Sequence, residues 1–375
     1  MPVPMLLSDQ ALFRDRDVFD PDYVPDTFQY RDGQLREMAY AIKPALFGSR
    51  PHNIILRGSP GTGKTTCVRH IFGEIRETTR RIIPVHVNCR NDHTRFMVFA
   101  RIYREIYGHL PPGSGVSLRR LLDSVGRELA DGGRVLLLCL DDADCMIPEG
   151  VLSDTLFPVL RLHEEFPGAR SGVILAVSDM DCDLQREIDA PVASMLQASE
   201  ISFPPYGEAE VRGILTRRLR QGVCPGVVPD AILDVIVEKT MLCGDLRVGM
   251  EILRRSVQNA ENAGKTGVSE DDVLPAFALA QYVCLSETVK VLNTDEKRML
   301  RSMAEYSMQE EQMNSRAVYA SVREEVPMGY TLYFERLKKF DRMRLISLYT
   351  PKARGNTREI ALRFDAGSVV EKCGE

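Results

Sequence analysis

Five short apolar runs, separated by stretches with helical spacing, mark the first two hundred residues of the chain. The runs cover residues 53–57, 82–88, 134–140, 172–178 and 200–203. Continuous apolar runs of this length are typical of strands buried on both faces, as in a parallel sheet covered by helices. The pattern therefore predicts an α/β core with a parallel five-stranded sheet over residues 1–203.

The strand pattern stops after Pro204 and Pro205, and helical spacing takes over. Predicted helices cover residues 208–221, 229–242 and 245–263. Ser269 with Asp272 resembles a capping box, which is typical of the start of a further helix. We interpret residues 204–288 as a small helical domain.

A third pattern begins at residue 289. The hydroxyl of Thr294 is expected to cap a helix whose first turn holds two acids. Two more helical stretches follow, and then two predicted strands flank a short turn rich in basic residues. Three helices followed by a β-hairpin predict a winged-helix domain over residues 289–375.

Composition places the chain in the cytoplasm. Its nine cysteines form no C-x-x-C pair, which fits a reducing compartment. The N-terminal residues lack the basic lead and apolar run of a secretion signal, and no apolar stretch reaches membrane-spanning length. We therefore expect a cytoplasmic, nucleoid-associated protein without a membrane partner.

The net charge of −5 hides a basic C-terminal segment. Residues 330–363 hold nine Lys or Arg residues against three Asp or Glu residues. Since charge acts locally on a nucleic acid, this segment is the candidate DNA-binding surface. The alternative is a basic, solvated face that contacts another protein.

Residues 58–65 read GSPGTGKT and match the phosphate-binding pattern G-x-x-x-x-G-K-[ST] between a predicted strand and a predicted helix. Glycines in this pattern let backbone N–H groups turn onto phosphate oxygens at a helix N-terminus. Lys64 is expected to reach the β and γ phosphates, and Thr65 to bind Mg²⁺. The predicted phosphate-binding residues are Gly61, Thr62, Gly63, Lys64, Thr65 and Thr66. The strand–loop–helix context disfavours the alternative, a glycine-rich turn that matches by chance.

The run RVLLLCLDDAD delivers two carboxylates at the C-terminal end of a predicted buried strand, where open α/β sheets bind ligands. Asp141 is the expected second Mg²⁺ ligand. Asp142 is the candidate catalytic base, at a place where many ATPases carry a glutamate, but its side chain is one methylene shorter. The alternative is an acidic loop that begins after a core strand.

The order GSPGTGKT, LLLCLDDAD, VILAVSD, ISFPPY and GDLRVGMEIL, followed by the winged-helix pattern, resembles the archaeal replication initiators of the origin-recognition class, which are AAA+ ATPases. The likeness spans nearly the whole chain. It implies a P-loop AAA+ core that binds ATP or ADP with Mg²⁺, a helical lid domain and a winged helix that binds DNA.

The resemblance also implies nucleotide contacts outside the phosphate loop. Aromatic rings can stack on adenine, and a guanidinium matches phosphate as a planar fork. The segment DYVPDTFQYRDGQL is similar to the family's adenine-side segment, ISFPPYGEAEVRGIL to a pocket-lining segment, and GDLR to a lid motif that contacts the γ phosphate. The residues implied are Tyr23, Val24 and Arg31 near the base, Tyr206 and Arg218 in the pocket, and Arg247 in the lid.

Two departures from the family pattern point to slow or absent hydrolysis. Asp179 stands where family members usually place an asparagine that orients the attacking water, and Pro191 stands where the family carries an arginine finger. Where such an arginine operates, it accelerates phosphoryl transfer roughly a thousandfold or more. Together with the short Asp142, these residues predict at most a slow ATPase.

In the basic segment, residues 331–343 are expected to form a recognition helix in the major groove. Helical spacing turns Leu332, Leu337 and Phe340 inward. The following turn is expected to enter a narrow minor groove. The predicted DNA-binding residues are Arg336, Lys339 and Arg342 on the helix and Lys352, Arg354 and Arg358 at the turn.

The sequence therefore favours an origin-binding replication initiator or regulator of replication, in which nucleotide occupancy sets the conformation. An active AAA+ ATPase that loads a helicase ring is one alternative, and a transcription or copy-number regulator is another. The expected partner is duplex DNA at a replication origin. A replicative helicase and further copies of the chain on DNA are additional candidate partners.

Overall fold

A computed structural model describes residues 12–20, 23–25, 28–112, 115–147, 150–180, 182–309, 313–349 and 358–374. The chain divides into two compact units. One spans residues 24–205, and the other combines the N-terminal segment through Tyr23 with the residues from Tyr206 onward.

The first unit is built on five parallel strands in the order β2-β3-β4-β1-β5. The strands are β1 (Ile54–Arg57), β2 (Ile82–Asn88), β3 (Val135–Asp141), β4 (Arg170–Val177) and β5 (Ser199–Ser202). Every residue of β3 is buried, as expected for a strand with neighbours on both edges and helices on both faces. The predicted parallel five-stranded sheet is confirmed.

Helices cover both faces of this sheet. They are α1 (Asp32–Ile42), α2 (Lys64–Thr78), α3 (Arg95–Tyr107), α4 (Leu118–Asp131), α5 (Val151–Leu160), α6 (Leu162–Glu165), α7 (Leu184–Glu187) and α8 (Ala190–Leu196). Alternate residues of β3 enter two separate cores: Leu138 packs with residues of α3 and α4, and Leu137 packs with residues of α1 and α2. The loops at the C-terminal ends of the strands are thus anchored to a sheet that is packed on both faces.

The second unit contains the helical lid region. Its helices are α9 (Glu208–Gly222), α10 (Asp230–Cys243), α11 (Leu246–Asn262) and α12 (Glu270–Lys290). The predicted capping box opens α12, because the Ser269 N–H donates to Asp272 Oδ2 at 2.9 Å. Phe13 and Phe19 of the N-terminal segment share the core of these helices, although the sequence predicted that segment as part of the nucleotide-binding domain.

The same unit ends in a winged helix. Its elements are α13 (Thr294–Gln309), β6 (Met313–Asn314), α14 (Ser315–Glu325), α15 (Tyr330–Arg342), β7 (Ile346–Tyr349), β8 (Glu359–Leu362) and α16 (Ala366–Gly374). The strands form an antiparallel sheet in the order β6-β8-β7. Three helices and a hairpin confirm the predicted architecture. The predicted domain boundary at residue 288 lies inside α12.

The cap of α13 differs from the prediction. Asn293, one residue before Thr294, accepts the Glu296 N–H at 2.9 Å, and Glu296 accepts the Asn293 N–H at 3.1 Å. Asparagine is a strong N-cap, and the glutamate three residues later completes the reciprocal pair. The prediction that Thr294 caps this helix is therefore wrong.

Within the described residues, no helix has the length and apolar character needed to span a membrane.

Candidate functional site

The phosphate loop lies between β1 and α2. Gly61 and Gly63 have φ angles of 75° and 94°, a left-handed region that glycine adopts without strain. Gly63 immediately precedes α2. The first turn of a helix has N–H groups without intrahelical acceptors, and its dipole favours an anion. The loop therefore offers the backbone geometry of a phosphate cradle.

Side chains of the loop hold it in shape. Lys64 is only 5% exposed, and its Nζ donates to the carbonyl oxygens of Gly58 at 2.6 Å and Ser59 at 3.1 Å. The Thr62 hydroxyl donates to the Ser59 carbonyl at 2.8 Å. Gly61 through Thr66, predicted from the sequence as phosphate ligands, thus lie together in one loop and the first turn of α2.

Arg31 supports the backbone of the phosphate loop through hydrogen bonds. Its guanidinium is 3% exposed and donates to the carbonyl oxygens of Thr62 at 3.1 Å and Pro204 at 2.5 Å. The resemblance placed Arg31 near the base, but these hydrogen bonds give it a supporting role for the loop backbone. Val24, also expected near the base, is half-buried in the same unit.

Thr65 and Asp141 form the candidate Mg²⁺ site. Asp141 is the last residue of β3 and is 5% exposed, and its Oδ2 accepts the Thr65 hydroxyl at 2.7 Å. Burial raises the pKa of Asp141, but hydrogen bonds from His86 and Thr65 and the nearby charges of His86 and Lys64 bring it below its ordinary value. An ionised carboxylate beside a hydroxyl is a hard oxygen pair that fits Mg²⁺.

His86 is a neighbour of this pair that sequence reasoning missed. Its Nε2 lies 3.1 Å from Asp141 Oδ2. It is on β2, whose residues are paired with those of β3 in parallel register. The sequence does carry a signal, since His86 is the polar residue within the apolar run of residues 82–87.

Asp142 is held by two partners. Its Oδ2 accepts from Arg90 Nε at 2.6 Å, and its Oδ1 accepts from the Ser178 hydroxyl at 3.0 Å. The residue adopts a left-handed φ of 54°. Both carboxylate oxygens of the candidate base thus accept hydrogen bonds. The three residues involved follow the C-terminal ends of β2, β3 and β4. Arg90 and Ser178 were not among the predicted site residues.

The two departures from the family pattern lie on the same unit. The carbonyl oxygen of Asp179 accepts a hydrogen bond from Arg57 at 3.4 Å, and Arg57 also donates to the Cys182 carbonyl at 2.8 Å. Pro191 is exposed in the first turn of α8. Neither position supplies a cation or an amide to the phosphate loop.

In the second unit, Arg218 and Tyr23 meet directly. The guanidinium carbon lies 4.2 Å from the centre of the Tyr23 ring, and Nη1 donates to the Val18 carbonyl at 3.2 Å. Burial lowers the pKa of Arg218. Tyr206 is 8% exposed in the lid core. Tyr23, expected near the base, and Arg218, expected in the pocket, thus form a packed cation–π pair that joins the N-terminal segment to α9.

Arg247 lies at the start of α11 with an exposed side chain. Its Nε donates to both carboxylate oxygens of Asp245, at 3.1 and 3.0 Å, and its Nη2 donates to Asp245 Oδ2 at 2.6 Å. Asp245 also caps α11 by accepting the Arg247 N–H at 2.9 Å. The GDLR segment therefore positions an exposed guanidinium by a helix cap.

Helix α15, predicted as the recognition helix, buries different residues from those expected. Tyr333, Leu337 and Phe340 are fully buried, whereas Leu332 is 44% exposed. The inward positions are spaced by four and three residues from Tyr333, so the buried stripe begins one residue later than expected. The inward placement of Leu332 was wrong, and that of Leu337 and Phe340 was right.

Two predicted DNA-binding cations are turned toward α13. Arg336 Nη2 lies 3.4 Å from Asp295, and Lys339 Nζ donates to both oxygens of buried Glu296 at 2.9 and 3.1 Å. The carboxylates that attract these two cations belong to Asp295 and Glu296 in the first turn of α13. The expectation that Arg336 and Lys339 point outward is therefore wrong.

The other predicted DNA-binding residues differ in position. Arg342 is exposed near the end of α15, where its Nε donates to the Lys338 carbonyl at 3.3 Å. Arg358, just before β8, places its guanidinium carbon 4.4 Å from the centre of the Phe334 ring. Lys352 and Arg354 lie outside the described residues.

Comparisons with known proteins agree with this architecture. A family model described as an AAA ATPase domain matches residues 27–199, and one described as a Cdc6 AAA+ ATPase-type lid domain matches residues 212–278. ORC1-type DNA replication protein 3 of Haloarcula marismortui is 39% identical over 371 residues, covering 98% of each chain. ORC1-type DNA replication protein 2 of Methanosarcina mazei is 37% identical over 368 residues, covering 98% of this chain and 97% of that protein.

Solved structures share the fold. The Aeropyrum pernix ORC2 protein, in ADPNP–ADP complexes, superposes with a TM-score of 0.75 at 24% identity over 97% of this chain and 98% of its own. The Aeropyrum pernix ORC1 protein in complex with DNA superposes with a TM-score of 0.68 at 24% identity over 98% of each chain. The family models and the sequence relatives confirm the resemblance seen in the sequence: the chain belongs to the family of archaeal ORC1-type and Cdc6-type DNA replication proteins.

Proposed function

We propose that this protein is a replication initiator that binds duplex DNA at an origin and uses ATP or ADP occupancy as a conformational switch, with slow hydrolysis. The proposal extends the family membership to the working step of this chain. Binding of nucleotide, rather than its turnover, is the step that sets the conformation.

One observation carries the distinction between binding and turnover. Lys64, Thr65 and Asp141 are assembled for phosphate and Mg²⁺, but both oxygens of Asp142 are engaged by Arg90 and Ser178. These two donors orient the carboxylate of Asp142 and compete for it with the proton of an attacking water. The residues proposed to bind nucleotide and Mg²⁺ lie together, and the proposed base is held by Arg90 and Ser178. This contrast supports binding without rapid turnover.

Residues 58–66 would hold the phosphates, with Mg²⁺ on Thr65 and Asp141. When bound, Mg²⁺ neutralises phosphate charge and polarises the phosphoryl group. Arg31 keeps the loop backbone in its binding shape through Thr62. Arg247 is the lid side chain proposed to respond to the γ phosphate.

The relatives support the DNA-binding half of the proposal. The chain covers nearly the full length of proteins named for DNA replication, and a protein of the same fold was solved with DNA. The winged helix of this chain supplies the corresponding element, with the basic residues of its segment 330–363.

Two measurements test the proposal. Purified protein is denatured and the released nucleotide identified by chromatography; we expect bound ADP or ATP. Genome-wide mapping of its binding sites should then show concentration at a replication origin. Binding mainly at promoters would favour a transcription regulator, and rapid release of phosphate would favour an active loader ATPase. Absence of any ATP or ADP affinity would contradict the switch.

A further inference from the structure

We infer that duplex DNA contacts one stripe of α15, made by Tyr330, Phe334, Lys338 and Arg342, together with Arg358 beside β8. Residues four apart lie on the same face of a helix, so the four α15 residues form a continuous line. The inference rests on the proposed DNA-binding function and names the side chains that perform it. Arg342 and Arg358 were already selected by charge and spacing, whereas Tyr330, Phe334 and Lys338 were not, and Arg336 and Lys339 are left out of the stripe.

Arg336 and Lys339 have structural roles inside the domain. The Arg336 side chain is 13% exposed and the Glu296 side chain that binds Lys339 is 6% exposed. A phosphate contact by Lys339 has to compete with a buried carboxylate, and breaking such a pair leaves an uncompensated buried charge. Since Asp295 and Glu296 also neutralise these two cations, neither adds much positive potential at the surface.

Two other cations, Lys338 and Arg358, lie over the ring of Phe334. Lys338 Nζ lies 5.0 Å from the ring centre and the Arg358 guanidinium carbon lies 4.4 Å from it. Within the described part of the chain, no acidic side chain forms an ion pair with either cation. A cation over an aromatic face keeps its charge and its outward N–H donors. The ring therefore gathers a helix cation and a wing cation into one phosphate-binding surface.

Tyr330 lies at the end of the stripe where base contacts are expected. It is the first residue of α15, and it is 50% exposed. Its ring meets Tyr319 edge-on at 5.2 Å and lies nearly parallel to Phe334 at 6.5 Å between centres. In helix-turn-helix proteins the N-terminal residues of the recognition helix contact base edges. A ring fixed in this way is suited to apolar contact with a thymine methyl group.

The test uses the full-length chain and fluorescence anisotropy over a salt series. The probes are a labelled duplex selected by the unmodified protein from a random pool and a scrambled duplex of equal composition. Lys338→Ala and Arg358→Ala should each reduce the salt slope by about 0.9 on both duplexes, the value for one lost phosphate contact. Tyr330→Ala should leave the slope unchanged and reduce the preference for the selected duplex about tenfold. Tyr330→Phe, which keeps the ring, should retain that preference.

Matched controls come from the same helix. Arg336→Ala removes one charge, and the double variant Glu296→Gln with Lys339→Met removes a buried pair without leaving a lone charge; both should keep the slope and the preference. A thermal unfolding scan of each variant verifies folding, and variants of exposed Lys338 should unfold as the unmodified protein does.

The outcomes separate this inference from the proposed function. If the unmodified protein binds neither duplex, the DNA-binding function itself fails. If it binds and selects, but the slope falls with Arg336→Ala and not with Lys338→Ala or Arg358→Ala, the assignment of the stripe is overturned while the function stands. An unchanged preference in Tyr330→Ala would remove its sequence-reading role.

Discussion

The ammonium of Lys64 is a cation buried within the phosphate loop, where it also satisfies two carbonyl oxygens of that loop. Its removal takes away the charge that phosphate requires and leaves the carbonyls of Gly58 and Ser59 without this donor. Substitution of Lys64 is therefore expected to weaken phosphate binding through the loss of local electrostatic interactions. Hydrogen bonds to charged groups contribute about 1.5–3 kcal/mol each.

Lys64→Ala should weaken ATP binding by at least roughly tenfold, the lower end of that range. Titration calorimetry with ATP and Mg²⁺ measures the effect. Lys43→Ala is the matched control, because Lys43 is an exposed lysine of the same unit and should leave the affinity unchanged. Equal affinity of the Lys64 variant and the unmodified protein would contradict the assignment of the loop.

The length of the Asp142 side chain is a second property that can be tested by substitution. Asp142→Glu should change the single-turnover rate of ATP hydrolysis by less than about tenfold while Asp179 and Pro191 remain, because catalytic groups that act as a unit are not additive. Phosphate release is followed with and without duplex DNA. A large acceleration by the single substitution would show that side-chain length alone limits hydrolysis.

At the scale of elements, arginines of the winged helix cap a lid helix. Arg344 Nη1 donates to the Met241 carbonyl at 3.1 Å, and Arg363 Nη1 donates to the Leu242 carbonyl at 3.1 Å. These carbonyls belong to the last turn of α10, which lacks intrahelical donors and carries the negative end of the helix dipole. Burial, and then the neighbouring charge of Arg363, lower the pKa of Arg344. The lid and the winged helix thus share polar contacts within one unit.

Arg344→Ala should loosen the C-terminal turn of α10, because the Met241 carbonyl loses its donor at a cost of about 1–3 kcal/mol. Hydrogen–deuterium exchange should show faster exchange in α10. Arg316→Ala, which removes an exposed arginine of α14, is the control and should leave α10 protected. Unchanged protection in the Arg344 variant would show that the cap carries little stability.

The elements themselves could be predicted from the sequence, because apolar runs and caps are local signals. The strand at residues 82–88 has the predicted bounds, and the Ser269 capping box opens its helix. The contacts of Asp142 could not be predicted, since its partners Arg90 and Ser178 lie 52 and 36 residues away and only the sheet brings them together. The partners of Arg336 and Lys339 on α13 were hidden for the same reason.

At the scale of the whole molecule, charge is distributed unevenly. The chain carries a net charge of −5, yet residues 330–363 hold nine Lys or Arg residues against three Asp or Glu residues. Acidic surfaces repel the DNA backbone, so long-range attraction has to come from the winged helix. For the proposed DNA binding, we therefore expect charge to orient the winged helix toward DNA before any base contact forms.

The last prediction is the salt dependence of this binding. Of the nine cations in residues 330–363, Arg336 and Lys339 pair with acids of α13, and Arg344 and Arg363 bind carbonyls of α10. The five that remain as candidates for phosphate contacts are Lys338, Arg342, Lys352, Arg354 and Arg358. With about 0.9 counterion released per contact, the plot of log affinity against log salt for the full-length protein should have a slope between about −3 and −5. Anisotropy with an unselected duplex measures it. A slope near −10 would require phosphate contacts well beyond the winged helix, and a flat plot would require binding without phosphate contacts at all. Neither result is compatible with an acidic molecule that meets DNA through one basic surface.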